Sequence, residues 1–385
     1  MFKTLIIATG FLYILCGCAT PPPPLTPPPI ASVPWQDQAF GYDAAAITIG
    51  KTELFQLDRA LQTSIRNALP RLVTPDEKLT FLTTLLFGPD GHSFPYALHH
   101  STVAEETWQR MRGDCLSLTV LAYSIAKALG LSSSMQQVQV PVVYNRSGDV
   151  DFVTGHVNLL IVSKIHLNSS YTKSGYVLID FEPQIGSWER GQDLTEEGVL
   201  ARYYNNIGAE HLAAGNQNMA YSYFKSAVLA DPAYSSSYGN LAQLYLHSGF
   251  DQEAEKLLRY AVASNQNDYP SLKALSHLLS SQGRTTEASQ FSAMLRAKQD
   301  QDPYYWLGLG LAYLKEGHPQ KSVDALERAQ NLSVGFRDVH QYLAIAYWRT
   351  GKQAEANKQL AILATMGQDS TALALLRKKI SQPPS

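Results

Sequence analysis

Apolar residues fall into two different spacings along the chain. From Ala201 onward, Gly215, Gly249, Gly283, Gly317 and Gly351 stand in register at a step of 34 residues. The same step places Ile207, Leu241, Leu275, Leu309 and Leu343 before each glycine, and Ala220, Ala254, Ala288, Ser322 and Ala356 after it. Within each unit, apolar positions recur at three- and four-residue intervals, so the pattern predicts five helix pairs over 201–370. Each glycine would end the first helix of its pair in the left-handed conformation that side chains with a Cβ resist. Thr371 to Ile380, closing in Arg377-Lys378-Lys379, reads as a capping helix within the 371–385 tail.

Upstream the pattern changes character. Thr52 to Leu69 carries apolar residues at helical spacing. Thr74-Pro75-Asp76-Glu77 has the form of a capping box with proline at the first helical position, ahead of the apolar run Leu79 to Phe87. Thr102-Val103-Ala104-Glu105 opens a short helix through Trp108 to Met111. Asp114 is placed as the N-cap of a helix that begins at Cys115, runs through Thr119 to Leu129 and stops at Gly130. Beyond it Met135 to Tyr144, Val157 to Val162 and Tyr176 to Phe181 read as strands, separated by the turn-prone Asn145-Arg146-Ser147-Gly148 and Asn168-Ser169-Ser170. Helices followed by an antiparallel sheet predict an α+β domain over 37–195.

The first residues fit neither pattern. Lys3 precedes the apolar stretch Leu5 to Leu15, which is too short to span a bilayer. Pro21 to Pro34 is proline-rich and uncharged, which favours an extended polyproline II tether over 18–36, about 3.1 Å long per residue. The charge is nearly balanced, 31 Lys plus Arg against 33 Asp plus Glu, with no basic run downstream of the leader, which argues against a nucleic-acid partner. No other segment reaches the roughly 18 to 20 apolar residues of a spanning helix, so membrane attachment would rest on a lipid alone.

Candidate chemistry centres on cysteine, because the chain holds only Cys16, Cys18 and Cys115. A thiol in the first turn of a helix meets unpaired backbone N-H groups and the positive end of the helix dipole, which favour the thiolate. His156 follows Thr154-Gly155, and Asp180 stands in Ile179-Asp180-Phe181-Glu182-Pro183, so Cys, His and Asp occur in that order. Glu182 is the alternative carboxylate if the register slips by two. His92 and His99-His100 lack matched ligand spacing, and no metal site or cofactor is expected from them. Asp149 and Asp151 make a weak loop candidate for a cation.

Three resemblances follow. Leu15-Cys16-Gly17-Cys18 resembles a bacterial lipobox, which implies a signal peptide over 1–17, a diacylglyceryl group on Cys18 and, with Ala19 next, outer-membrane anchoring facing the periplasm. From about Tyr96 to Pro183, Arg112-Gly113-Asp114-Cys115-Leu116-Ser117 with its apolar helix, the Gly155-His156 strand and the strand ending in Asp180 resemble the transglutaminase-like superfamily of papain-related folds. That resemblance implies Cys115 as nucleophile, His156 as general base and Asp180 as its orienting carboxylate, with Trp108 or Gln109 as side-chain oxyanion donor beside the Cys115 N-H. Acyl transfer by a cysteine peptidase or amidase is the expected activity, a transglutaminase or ligase the alternative, and a non-catalytic envelope scaffold the rival from another class. The 34-residue units resemble tetratricopeptide repeats: Tyr204, Gly208, Phe224, Ala227 and Pro232 fit the first and Trp306, Gly310 and Tyr313 the fourth, while Ser276 and Leu279 depart from the pattern in the third. This implies a helical solenoid that recruits a protein or peptide, with Asn205, Lys273, Leu307, Leu311, Leu314 and Trp348 on its concave side.

Overall fold

A computed structural model describes residues 29–88, 94, 100–147, 150–167, 171–181, 191–265, 268–332 and 337–365. The leader, Cys18, His92, His99, Asp149, Glu182 and the expected capping helix lie outside these residues.

The helical face expected over Thr52 to Leu69 is two helices, α1 (Lys51–Phe55) and α2 (Arg59–Ala68). Asp58 divides them: its carboxylate accepts from Ala60 N and Leu61 N at 2.8 and 3.2 Å and so starts a new helix. The capping box forms ahead of α3 (Pro75–Phe87), with Thr74 Oγ1 accepting from Glu77 N at 3.2 Å and Glu77 Oε2 from Thr74 N at 2.8 Å. After α4 (Ala104–Arg110) comes α5 (Cys115–Ala128), whose residues are buried on almost every side.

The strands outrun the apolar stretches that announce them. They are β1 (Ser133–Ser147), β2 (Val150–Leu167), β3 (Tyr171–Ile179) and β4 (Gln192–Leu194), the last without an apolar pattern of its own. The order is β3-β2-β1-β4, with every pairing antiparallel. Asn145, Arg146 and Ser147 are strand residues rather than a turn, because the ladder continues from Val143 opposite Thr154 to Ser147 opposite Val150. It slips between Val138 and Val143, where Pro141 has no N-H to give the ladder.

Ten helices complete the described chain: α6 (Glu196–Ala213), α7 (Gln217–Ala230), α8 (Ser235–His247), α9 (Asp251–Ser264), α10 (Tyr269–Ser281), α11 (Thr285–Gln299), α12 (Pro303–Lys315), α13 (Pro319–Leu332), α14 (Arg337–Arg349) and α15 (Gln353–Thr365). They pack as consecutive pairs. All five register glycines have φ between 76° and 79°. At the first, Asn216 N donates to His211 O at 2.8 Å and Gly215 N to Leu212 O at 3.0 Å, closing α6 and turning the chain into α7.

Three features of packing place the parts. First, α6 begins a turn before the repeat pattern, capped by Thr195, and its Val199, Leu200, Tyr203, Tyr204 and Ile207 share one core with α5 and the sheet. Second, residues 30–42 pack on the repeats: Phe40 stacks on Tyr221 at 4.8 Å, Tyr245 Oη donates to Pro34 O at 2.8 Å, and Lys225 sits 2.6 Å from an Asp37 oxygen. Third, the repeat core divides, one cluster ending with α10 and α11 and another starting with α12. Ala288 is the single buried residue described on α11. Among the described residues no helix is long and apolar enough to cross a membrane.

Candidate functional site

The site is assembled around the start of α5. Asp114 accepts from Ser117 N at 2.7 Å and from Ser117 Oγ at 2.5 Å, which fixes Cys115 as the first helical residue. Gly113 is required by crowding: a Cβ there would lie 2.9 Å from Ser117 Cβ and 3.2 Å from Thr107 Cγ2. One turn along, on the face that carries Cys115, Thr119 Oγ1 donates to Val157 O at 3.3 Å across to β2. Val157 follows His156 directly, so this bond joins α5 to β2 next to the histidine.

His156 and Asp180 meet. Nε2 of His156 lies 2.9 and 3.0 Å from the two carboxylate oxygens of Asp180, which stands just past the end of β3. Pairing of Leu159 with Ile179 sets the register that makes this contact. The side chains of His156 and Asp180 are 5 and 7% exposed and Cys115 is 8% exposed, so each is covered rather than displayed. On the other strand His156 faces Val138, at the edge of the slip in β1.

The two residues considered as oxyanion donors separate. Gln109 is exposed on α4 and its Nε2 donates to Asp58 Oδ2 at 3.1 Å, which engages it with the cap of α2. Trp108 is half-buried against the core, its ring 6.1 Å from that of Phe94.

Sequence patterning gave no sign of the polar links between α6 and both ends of this group. Arg202 Nε donates to Gln137 Oε1 at 2.7 Å, and Gln137 Nε2 donates to the His156 carbonyl at 3.1 Å. Further along α6, Asn206 Nδ2 donates to Ser101 Oγ at 2.9 Å, and Ser101 Oγ donates to Asp114 Oδ2 at 2.5 Å. Glu210 accepts from Ser101 N at 3.1 Å and pairs with His100 at 3.2 Å. Burial pushes the Glu210 carboxyl above its ordinary value, His100 and Ser101 N draw it back, and nearby Asp114 adds to the rise. Gln137 is one of three glutamines, with Gln136 and Gln139, in the same strand, so its position alone did not single it out.

On the repeats, Asn205 is buried and accepts from Asn240 Nδ2 at 2.9 Å. Lys273 is exposed, Leu307 and Leu314 are buried, and Leu311 and Trp348 are half-buried against the last core cluster. A recess of about 600 Å³ lined by Phe55, Arg66, Ser124, Lys127 and Glu196 opens at the far end of α5 from Cys115. Among the described residues no group of three or more His, Cys, Asp or Glu side chains is placed to hold a metal.

Comparison with known proteins bears on the second half of the chain. A curated human protein, cilia- and flagella-associated protein 70, is 26% identical over 165 residues, covering 42% of this chain and 14% of its own length. Solved structures include Pseudomonas aeruginosa pilF (20% identity, 49% of this chain and 85% of that one, TM-score 0.28) and MamA from Desulfovibrio magneticus RS-1 (20%, 44% and 97%, TM-score 0.25). YrrB, described as a repeat protein with an unusual peptide-binding site, matches at 16% identity over 46% of this chain and 92% of its own, with a TM-score of 0.25. Sequence profiles of the tetratricopeptide repeat family match residues 211–276 and 303–333, so the helix pairs of this chain include tetratricopeptide repeats.

Proposed function

We propose that the chain is a protein-binding scaffold whose repeats hold a polypeptide partner, tethered to the cell envelope by a lipid on Cys18. The observation that carries this reading is the pair of tetratricopeptide matches in the stacked helices α6–α15, an architecture whose extended concave surface serves protein recognition. The tether rests on the Leu15-Cys16-Gly17-Cys18 motif and on the proline-rich segment after it. A photo-crosslinking residue at Trp348, on α14, is expected to trap an envelope protein, whereas one at the exposed Met294 on α11 traps none. Failure of the Trp348 probe to trap any protein in the intact cell would defeat the scaffold reading.

A second reading is favoured by the buried His156–Asp180 contact beside the helix that starts at Cys115. In it the chain is a cysteine acyltransferase of transglutaminase-like type. With Nε2 held by the carboxylate, Nδ1 is the nitrogen that takes the Cys115 proton. The thiolate sulfur bonds to an amide carbonyl carbon, the C-N bond breaks as the amine leaves with the imidazolium proton, and water or an amine then cleaves the thioester. The Cys115 N-H and its neighbours in the first turn of α5 stabilise the oxyanion. Iodoacetamide alkylation of Cys115 at neutral pH should slow by tenfold or more in His156→Ala. Equal rates in the two proteins would leave Cys115 a structural thiol.

A further inference from the structure

The repeats and the sheet touch in a way that the order of the chain does not suggest. In the helix pairs the first members are α6, α8, α10, α12 and α14, and these form the concave side of a tetratricopeptide array. β2 comes against α6, α8 and α10, and β1 comes against α12. Every repeat helix that the hairpin strands approach in this way is a first member.

Reach explains the arrangement. Gln137 of β1 is fixed to Arg202 on α6. From Gln137 to Ser147 an extended strand covers about 33 Å at about 3.3 Å per residue. Three steps between neighbouring helices at about 10 Å carry one from α6 to α12, about 30 Å away. Past the slip at Val138–Val143, the paired segments Val143–Ser147 and Val150–Thr154 thus form an arm of the length needed to run from α6 to α12.

The arm also crosses the weakest place in the array. The apolar cluster that includes α8, α9 and α10 takes in Ala288, Phe291 and Leu295 of α11 but, among the described residues, nothing from α12. The next cluster starts at Trp306 and Leu307. β2 against α10 and β1 against α12 stand on either side of that break.

We infer that the concave face of the repeats is occupied by this chain's own β1–β2 arm, which splints the two halves of the array across the α11–α12 junction. The face is then fitted to an extended two-stranded ribbon rather than to a helix. A partner that takes the middle of the groove does so by replacing the arm, and replacement frees α12–α15 to move against α6–α11. Because the arm continues through the slip into the strand pair of Val138 and His156, its release is also felt beside His156.

Two measurements on the full chain test this. With Cys16, Cys18 and Cys115 all replaced by Ser, Gly308→Cys on α12, where a Cβ meets open space, is paired in turn with Asn145→Cys, Arg146→Cys and Ser147→Cys. A bismaleimide of about 10 Å reach is then added; β1 and α12 approach within 8 Å between Cα atoms. Rapid cross-linking within the monomer by at least one pair is expected. No cross-link from any pair overturns the inference, and a cross-link confined to a dimer overturns it in favour of a second copy's arm. The second variant replaces Tyr144 to Val153 by Asn-Gly, which joins the facing residues Val143 and Thr154 by a two-residue turn and keeps the pairing at His156. Trypsin cleavage at Arg296 and Lys298, near the junction, is expected to accelerate at least tenfold. An unchanged cleavage rate in a folded variant would remove the splint.

Discussion

Lys225→Met tests whether the chain entering the fold is docked on the repeats by one caged charge. In the native chain the Lys225 ammonium lies 2.6 and 2.8 Å from the Asp37 oxygens, 3.9 Å from the Tyr42 ring centroid and 5.0 Å from that of Trp35. Methionine preserves the stem and its contact with the rings but deletes the charge. Asp37 is 49% exposed, so its ion pair is worth only about 0.5–1 kcal/mol after solvent screening. The cation over two aromatic faces adds about 1 kcal/mol. The total, about 1.5–2 kcal/mol, corresponds to a 10- to 30-fold rise in the undocked fraction of residues 30–42. Chymotrypsin cleavage at Phe40 and Tyr42, mapped by mass spectrometry, should accelerate by that factor while reclosure stays fast relative to cutting. A change of less than threefold would refute the reasoning and assign docking to the apolar contacts of Val33 and Phe40. The same site carries a pH dependence. Burial pushes the Asp37 carboxyl up, but hydrogen bonds from Lys225 and Tyr221 and the lysine charge outweigh it and leave it below the ordinary value of 3.8. A depressed folded value stabilises docking above about pH 4 and loses it as the pH falls through the folded value, so cleavage of the native chain at Phe40 and Tyr42 by pepsin, a protease that works in acid, should rise as the pH is lowered below about 4.

Two further substitutions bear on the candidate site and on the repeats. Asp114→Ala removes the cap of α5 and the acceptor of Ser101, and should cost about 1–2 kcal/mol, read as a lower midpoint of thermal unfolding. The same midpoint in both proteins would show that α5 is held by its buried faces alone. Gly208→Ala would place a Cβ 2.7 Å from the Phe224 ring between α6 and α7, and overpacking of about 1–3 kcal/mol is expected in the same assay. An unchanged midpoint would mean that the pair separates without loss.

Local chemistry made several elements legible. Thr74 and Glu77 cap α3 wherever that helix is used, because the bonds join residues three apart. The five register glycines reveal the repeats since each must adopt a positive φ. Asp114 announces the start of α5 in the same local way. Asp58 shows the limit of such reading: apolar spacing ran through it, yet its side chain bonds the backbone ahead and divides the helix. Asn145 to Ser147 show another, since turn-prone residues sit in a ladder once a partner strand is present.

The sequence by itself determined the repeat period, the starts of α3 and α5 and the order of Cys115, His156 and Asp180, because each depends on residues close in the chain or on side-chain type alone. Tertiary structure decided what these parts touch. Pairing of Leu159 with Ile179 brings His156 to Asp180. The apolar face of α6 joins the first repeat to the core of α5. Asn206, Glu210 and Arg202 reach the two sides of the candidate site. Phe40 lies on Tyr221, far along the chain. Such contacts follow from the sum of many weak apolar and polar interactions between distant segments, and periodicity along one segment records which face is buried but not against what.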